Sequence, residues 1–278
     1  MSAPLLEVAN LRVSFPTHRG RVEVVKGISF TLGRERLGIV GESGSGKSLT
    51  GRSILKLIRK PGQVTADRLH FDGIDILSRS ERQMRDIRGA RISMVMQDPK
   101  FSLNPVMTVG EQIAEALVTH RRLRRRDVQQ RVLDMLHSVR IDDPERVAGL
   151  YPHEVSGGMG QRVMIAMMLI PEPEILIADE PTSALDVSVQ AQVLDIIDDL
   201  VTHKGMGLIL ISHDLNLVSR YCDRILVMNA GRVVEECAAG QLSAAQHPYT
   251  RGLLAAMPTI DETREELPVL DRTQWAGT

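Results

Sequence analysis

One run in this chain has the residue types and spacing to hold phosphate. Gly41, Glu42, Ser43, Gly44, Ser45, Gly46, Lys47 and Ser48 follow the pattern GxxxxGK[ST]. An apolar tetrad at 37–40 precedes the run, and a helix-like pattern begins at Leu49. Glycines at these intervals let the backbone curl until successive N–H groups face phosphate oxygens, and the start of a helix adds partial positive charge. Lys47 supplies a cation for the β- and γ-phosphates, and the Ser48 hydroxyl suits Mg²⁺. A Gly-rich turn with no ligand is the competing reading; the strand before and the helix after weigh against it. Taken alone, the motif specifies a nucleoside triphosphate and leaves kinase, GTPase, helicase and transporter open.

A second set of residues sits at the ends of apolar runs. Residues 175–178 are Ile, Leu, Ile and Ala, and two carboxylates follow, Asp179 and Glu180. Open α/β sheets bind ligands at the carboxyl ends of their strands. Asp179 suits the Mg²⁺ shell, and Glu180 can orient and polarise a water aimed at the γ-phosphate. Residues 208–211 repeat the layout and deliver His213 to the same edge. The bland reading is a solvated acidic strand end and a structural histidine. It is weakened by the phosphate motif upstream. The other seven histidines keep the bland reading.

The elements that must position these groups are legible in outline. Apolar runs at 37–40, 92–96, 175–178, 208–211 and 225–228 read as strands buried on both faces of a mostly parallel sheet. Helical patterns at 49–58 and 187–201 lie between them, which is the layered α/β plan. Residues 5–32 and 64–76 alternate as antiparallel strands with Gly turns. Residues 98–157 read as a helical insert, and residues 258–278 as a polar, flexible tail. The expected fold is therefore α/β, with an antiparallel β subdomain and an inserted α-helical subdomain.

Composition closes several alternatives. Among 278 residues, 34 Lys and Arg face 35 Asp and Glu, which gives no general electrostatic reason to bind nucleic acid. The run of arginines and one leucine at 121–126 has no interleaved aromatics to stack bases, so a solvated loop is expected. Cys222 and Cys237 have no ligand spacing and read as reduced thiols. No signal peptide is evident, and the longest strongly apolar stretch, residues 163–170, is far short of a membrane span. Any membrane role must then come through partners.

Val155-Ser156-Gly157-Gly158-Met159-Gly160-Gln161-Arg162 precedes a helical apolar run. Here the chain resembles the ABC (ATP-binding cassette) ATPases, whose signature is LSGGQ or a close variant. Two positions depart from it: Val155 replaces Leu, and Gly160 stands where Arg is common. Ser156, Gly157 and Gly158 can form a second anion-binding helix start. The resemblance implies that it engages the γ-phosphate of ATP held by an opposite subunit, so that two chains close around two ATP. It implies that the core is a P-loop NTPase of RecA type over residues 5–257. It also identifies Gln97 as the Q-loop residue near Mg²⁺ and residues 183–186, ending in Asp186, as the D-loop. Phe15 takes the place of the aromatic that stacks on adenine, and Leu49 completes the ATP contacts. Glu180, His213 and Gln97 take the catalytic roles; Ser48, Gln97 and Asp179 take the Mg²⁺ shell.

Finer resemblance comes from Arg88-Gly89, residues 97–117, residues 179–197 and His247-Pro248-Tyr249-Thr250. These look like the dipeptide, oligopeptide and nickel importer ATPases of bacteria. That branch implies two transmembrane permease subunits and, indirectly, an extracytoplasmic solute-binding protein. It also implies an ATPase dimer, with a second copy or a similar paralogue, on the cytoplasmic face of the inner membrane. Peptide is the expected cargo, nickel or a metal chelate the alternative. No iron–sulfur cluster is assigned. The rival from another class is a soluble ABC ATPase acting on nucleic acid. The chain shows neither a CxxC insertion nor a second cassette to support it. A GTPase reading lacks an NKxD motif.

Overall fold

β1 (Leu6–Thr17) and β2 (Gly20–Leu32) pair antiparallel as a long hairpin in the computed structural model, which describes residues 3–96, 103–183 and 185–256. β3 (Arg36–Val40) then leads through the glycine-rich run into α1 (Lys47–Ile54). β4 (Gln63–Thr65), β5 (Arg68–Phe71) and β6 (Ile74–Asp75) return to the hairpin, with β4 and β5 both antiparallel to β1. α2 (Glu81–Met84) and β7 (Ile92–Val95) precede a helical stretch of α3 (Val109–Val118), α4 (Arg125–Ser138) and α5 (Pro144–Ala148). α6 (Gly157–Leu169), β8 (Ile175–Asp179), α7 (Val187–Lys204), β9 (Gly207–Ser212), α8 (Leu215–Tyr221) and β10 (Arg224–Asn229) complete the alternating part. β11 (Arg232–Ala238) and α9 (Pro248–Ala255) close it.

Two sheets result. The antiparallel one runs β2-β1-β5-β6, with β4 also on β1. The other runs β11-β10-β3-β9-β8-β7, parallel from β10 to β7, with β11 antiparallel at one edge.

The unbroken apolar runs follow from the position of that second sheet between two cores. Along β8, Leu176 and Ala178 join a cluster with α3, α4, α6 and α7, while Ile175 and Ile177 join one with the antiparallel sheet. β9 splits in the same way, Leu208 and Leu210 to one side and Ile209 and Ile211 to the other. A strand covered on both faces has no place for the polar half of an alternating pattern. Each fully buried Leu or Ile among them stabilises the fold by about 1.5–3 kcal/mol.

The sequence pattern overran or fell short at several ends. The helix expected over 49–58 starts at Lys47 and stops at Ile54, because Lys56 turns left-handed at φ 51°. α7 runs a turn beyond 201 and ends where Gly205 takes φ 58° and donates its N–H back to Thr202. Caps fix α3: the Thr108 hydroxyl accepts from Glu111 N–H, and the Glu111 carboxylate accepts from Thr108 N–H. The arginine-rich run is solvated as expected, with Arg122, Arg124, Arg125 and Arg126 exposed, but it is not all loop. Arg121 pairs with Glu172 at 2.9 Å, and Arg125 already belongs to α4. Cys222 and Cys237 are free thiols, and burial pushes the Cys222 thiol up to about 12. Among the described residues, no helix is long and apolar enough to cross a membrane. The tail expected at 258–278 lies outside the described residues.

Candidate functional site

The glycine-rich run joins β3 to α1 at the carboxyl edge of the parallel sheet. Gly41 has φ 150°, and a Cβ there would lie 2.1 Å from the Met228 carbonyl at the end of β10. Only glycine lets the loop leave β3 so close to its neighbour strand. Gly46 caps α1 with φ 101°, a left-handed conformation that turns the chain into the helix. Lys47 then sits in the first turn, 5% exposed, with Nζ donating to the Gly41 carbonyl at 2.7 Å and the Glu42 carbonyl at 2.9 Å. Burial lowers the pKa of the Lys47 ammonium, opposed by the nearby carboxylates of Glu180, Asp179 and Glu42.

Ser48 Oγ donates to Asp179 Oδ1 at 2.7 Å, which brings together two residues far apart in the chain. Asp179 is 3% exposed. Burial raises its carboxyl above the usual range, and the Ser48 hydrogen bond and Arg52 pull the other way. Two adjacent hard oxygen donors at a phosphate cradle fit Mg²⁺, which is commonly held by one or two protein oxygens plus phosphates and water.

Glu180 follows β8 with φ 48°, an uncommon conformation for a side chain of this kind, while its N–H donates to the Ile211 carbonyl at 2.9 Å. Its carboxylate lies 3.4 Å from His213 Nδ1, and the His213 side chain is 63% exposed. A cavity of about 240 Å³ is lined by Val24, Ser43, Gly44, Gly46, Lys47, Ser48, Leu49 and Glu180. Cradle, strand-end acid and His213 therefore converge.

Phe15 is placed differently. It lines a neighbouring cavity of about 550 Å³ with Leu49, Arg52, Leu57, Ile58, Arg59 and Met96. Leu49 borders both cavities, and Val24, which the sequence did not single out, borders the first. Val24 precedes buried Val25 on β2, a strand position with no chemical signature.

Ser156 caps α6, its hydroxyl accepting from Met159 N–H at 3.3 Å. A Cβ on Gly157 would meet no atom within 4 Å, whereas one on Gly158 would lie 3.1 Å from Val189. The α6 start is thus open at Gly157 and packed on α7 at Gly158. Gly160 is buried, and a Cβ there would make ordinary contact with Leu103 at 3.9 Å. Asp186 caps α7 by accepting from Val189 N–H at 3.0 Å. Gln97 lies outside the described residues.

One contact had no warning in the sequence. The Glu42 N–H, in the first turn of the cradle, donates to the Tyr249 hydroxyl at 3.1 Å. In the sequence, the run 247–250 is informative only through resemblance.

Comparison with known proteins places these features in context. The model of the family described as ABC transporter matches residues 25–183. The chain is similar to the oligopeptide transport ATP-binding protein OppD of Bacillus subtilis, 46% identical over 94% of this chain and 74% of that protein. It is likewise similar to the dipeptide transport ATP-binding protein DppD of the same organism, 46% identical over 97% of this chain and 81% of that one. Among solved structures it matches the dimeric post-hydrolysis state of the ATP-binding cassette MJ0796 bound to ADP and Pi. That match has a TM-score of 0.74 and 27% identity, covering 84% of this chain and 98% of that one.

Proposed function

Because this chain belongs to the ABC transporter family, we propose that it is the ATP-binding subunit of a bacterial importer, coupling ATP hydrolysis to peptide uptake. Its enzymatic activity is that of an ATPase. Members of this family work as dimers of cassettes beneath membrane permease subunits. The observation that carries the residue roles is the meeting of Lys47, Ser48, Asp179 and Glu180 at one sheet edge.

The backbone N–H groups of residues 43–48 and the Lys47 ammonium hold the phosphates. Ser48 and Asp179 hold Mg²⁺, with Gln97 completing the shell. Bound there, Mg²⁺ would supply positive charge to offset that of the phosphates. Glu180 orients a water in line with the γ-phosphorus. As the new O–P bond forms, the bond to the ADP oxygen breaks and the water's proton passes to Glu180. His213, beside Glu180, contacts the γ-phosphate. Phe15 stacks on the adenine, a role favoured by the border its cavity shares with the cradle at Leu49. Ser156, Gly157 and Gly158 of a second chain close on the same γ-phosphate, and Asp186 lies at that junction. The open face at Gly157 supports this.

Peptide is the cargo of this reading because the relatives named above are oligopeptide and dipeptide transport ATP-binding proteins. The assembly comprises two cassettes, two permease subunits and, indirectly, an extracytoplasmic solute-binding protein, at the cytoplasmic face of the inner membrane. Uptake of labelled dipeptide and of nickel in cells with the chain, without it, and with Glu180→Gln tests the reading. Dipeptide uptake should require the chain and vanish with Glu180→Gln, while ATP still binds the variant. Uptake of nickel alone would overturn the cargo. Unimpaired ATP turnover by Glu180→Gln would overturn the role given to Glu180.

A further inference from the structure

The mechanism above leaves residues 247–250 without a task, yet one of them reaches the cradle. Tyr249 lies on the first turn of α9, 207 positions beyond Glu42, and is 1% exposed. The start of α9 is tied down on the β11 side, where Glu235 Oε1 accepts from the N–H of Gln246 at 2.6 Å and of His247 at 3.3 Å. His247 Nδ1 in turn accepts from the Tyr249 N–H at 3.1 Å. The tyrosine is therefore held by its own helix start, and its hydroxyl receives the Glu42 N–H.

That N–H belongs to the peptide plane between Gly41 and Glu42. The other end of the plane is the Gly41 carbonyl, which accepts from Lys47 Nζ at 2.7 Å. A peptide unit is rigid, so fixing its N–H fixes the direction of its C=O. Gly41 has no side chain with which to resist rotation, and its φ of 150° is one that glycine visits freely. Besides Lys47 itself, the Tyr249 hydroxyl is a hold on that plane from outside the loop.

We propose that Tyr249 is a positioning residue for the phosphate-binding lysine, acting by clamping the Gly41–Glu42 peptide whose carbonyl aims the Lys47 ammonium. The C-terminal helix is on this account part of the nucleotide cradle, although it touches no phosphate. The inference rests on the reading of residues 41–48 as that cradle.

The test separates the hydroxyl from the packing of its helix. Tyr249→Phe keeps the ring and removes only the acceptor. Leu254→Ala loosens α9, where Leu254 packs partly buried on the core, and leaves the hydroxyl in place. ATP affinity of the full chain is measured by calorimetric titration beside thermal melting, with Lys47→Ala as the reference for a lost cation. Tyr249→Phe is expected to weaken ATP binding about five- to tenfold, the effect of taking a part-buried hydrogen bond out of the loop. Its melting point should stay within about 3 °C of the unaltered chain. Leu254→Ala should melt lower and bind ATP within about twofold of the unaltered chain. Equal weakening by both variants, or none by Tyr249→Phe, would overturn the proposal. So would rapid, unprotected hydrogen exchange at the Glu42 amide of the unaltered chain. Full ATP affinity in Lys47→Ala, or none in the unaltered chain, would instead bring down the cradle reading and this inference with it.

Discussion

Asp179 is the residue whose environment, more than its identity, sets its behaviour. Burial holds its carboxyl above the usual range, with Ser48 and Arg52 opposing only part of the effect. In that situation the native state binds more protons than the unfolded chain. Stability therefore falls as pH rises from the unfolded pKa through the raised folded one. Above that window the ionised carboxylate weakens the chain on its own and is useful only once a cation arrives. Asp179→Asn keeps the shape and keeps an oxygen to accept from Ser48. The variant without nucleotide should melt at pH 7 no lower than the unaltered chain. Its magnesium-dependent ATP turnover should fall at least about a hundredfold. A lowered melting point with turnover intact would make Asp179 a structural residue. The sequence placed this carboxylate at a strand end by spacing alone. It could not show the left-handed backbone of Glu180 beside it, because φ there is set by the β8 to β9 contact through the Ile211 carbonyl.

At the scale of elements, two glycines with similar motif status have opposite surroundings. Gly41 joins β3 to the cradle with no room for a side chain, since a Cβ would strike the Met228 carbonyl of β10. Gly157 opens α6 with nothing near it. Gly41→Ala should lower the free energy of unfolding in urea by about 3 kcal/mol, because backbone rather than a flexible side chain must yield. Gly157→Ala should leave it within about 0.5 kcal/mol. Equal losses would mean that the α6 start is packed. This difference was not legible in the sequence, where both positions read as glycines of anion-binding loops. The buried parallel strands were legible, because a sheet covered on both faces leaves an unbroken apolar run. Short elements were not. α5 has five residues and α8 seven, too few turns for a helical period to show. Nor was the border between the Phe15 cavity and the cradle, since it depends on where Leu49 of α1 faces once the helix is packed.

For the whole molecule, the decisive property is that one chain carries one cradle and one open α6 start. If the γ-phosphate on each cradle is closed by the α6 start of a second chain, a chain with a ruined cradle can still complete its neighbour's site. Lys47→Ala removes the cradle's cation, and Ser156→Arg blocks the α6 start with a bulky charge. Each variant alone should be inactive in ATP turnover. Ser156→Arg should nevertheless bind ATP as a monomer, because its own Lys47 and Ser48 are intact. Mixed in equal amounts, half the dimers should pair one variant with the other. Each such dimer has one site built from the sound Lys47 of one chain and the sound Ser156 of its partner. The second site in the same dimer joins both defects. Recovery of about a quarter of the unaltered rate is the expected result for a symmetric pair whose sites act independently. Turnover measured against mixing ratio should pass through a maximum at equal amounts. A mixture as inactive as its parts would rule out independent turnover at the shared sites. Activity of Ser156→Arg alone, at the unaltered rate, would show that one chain closes its own site.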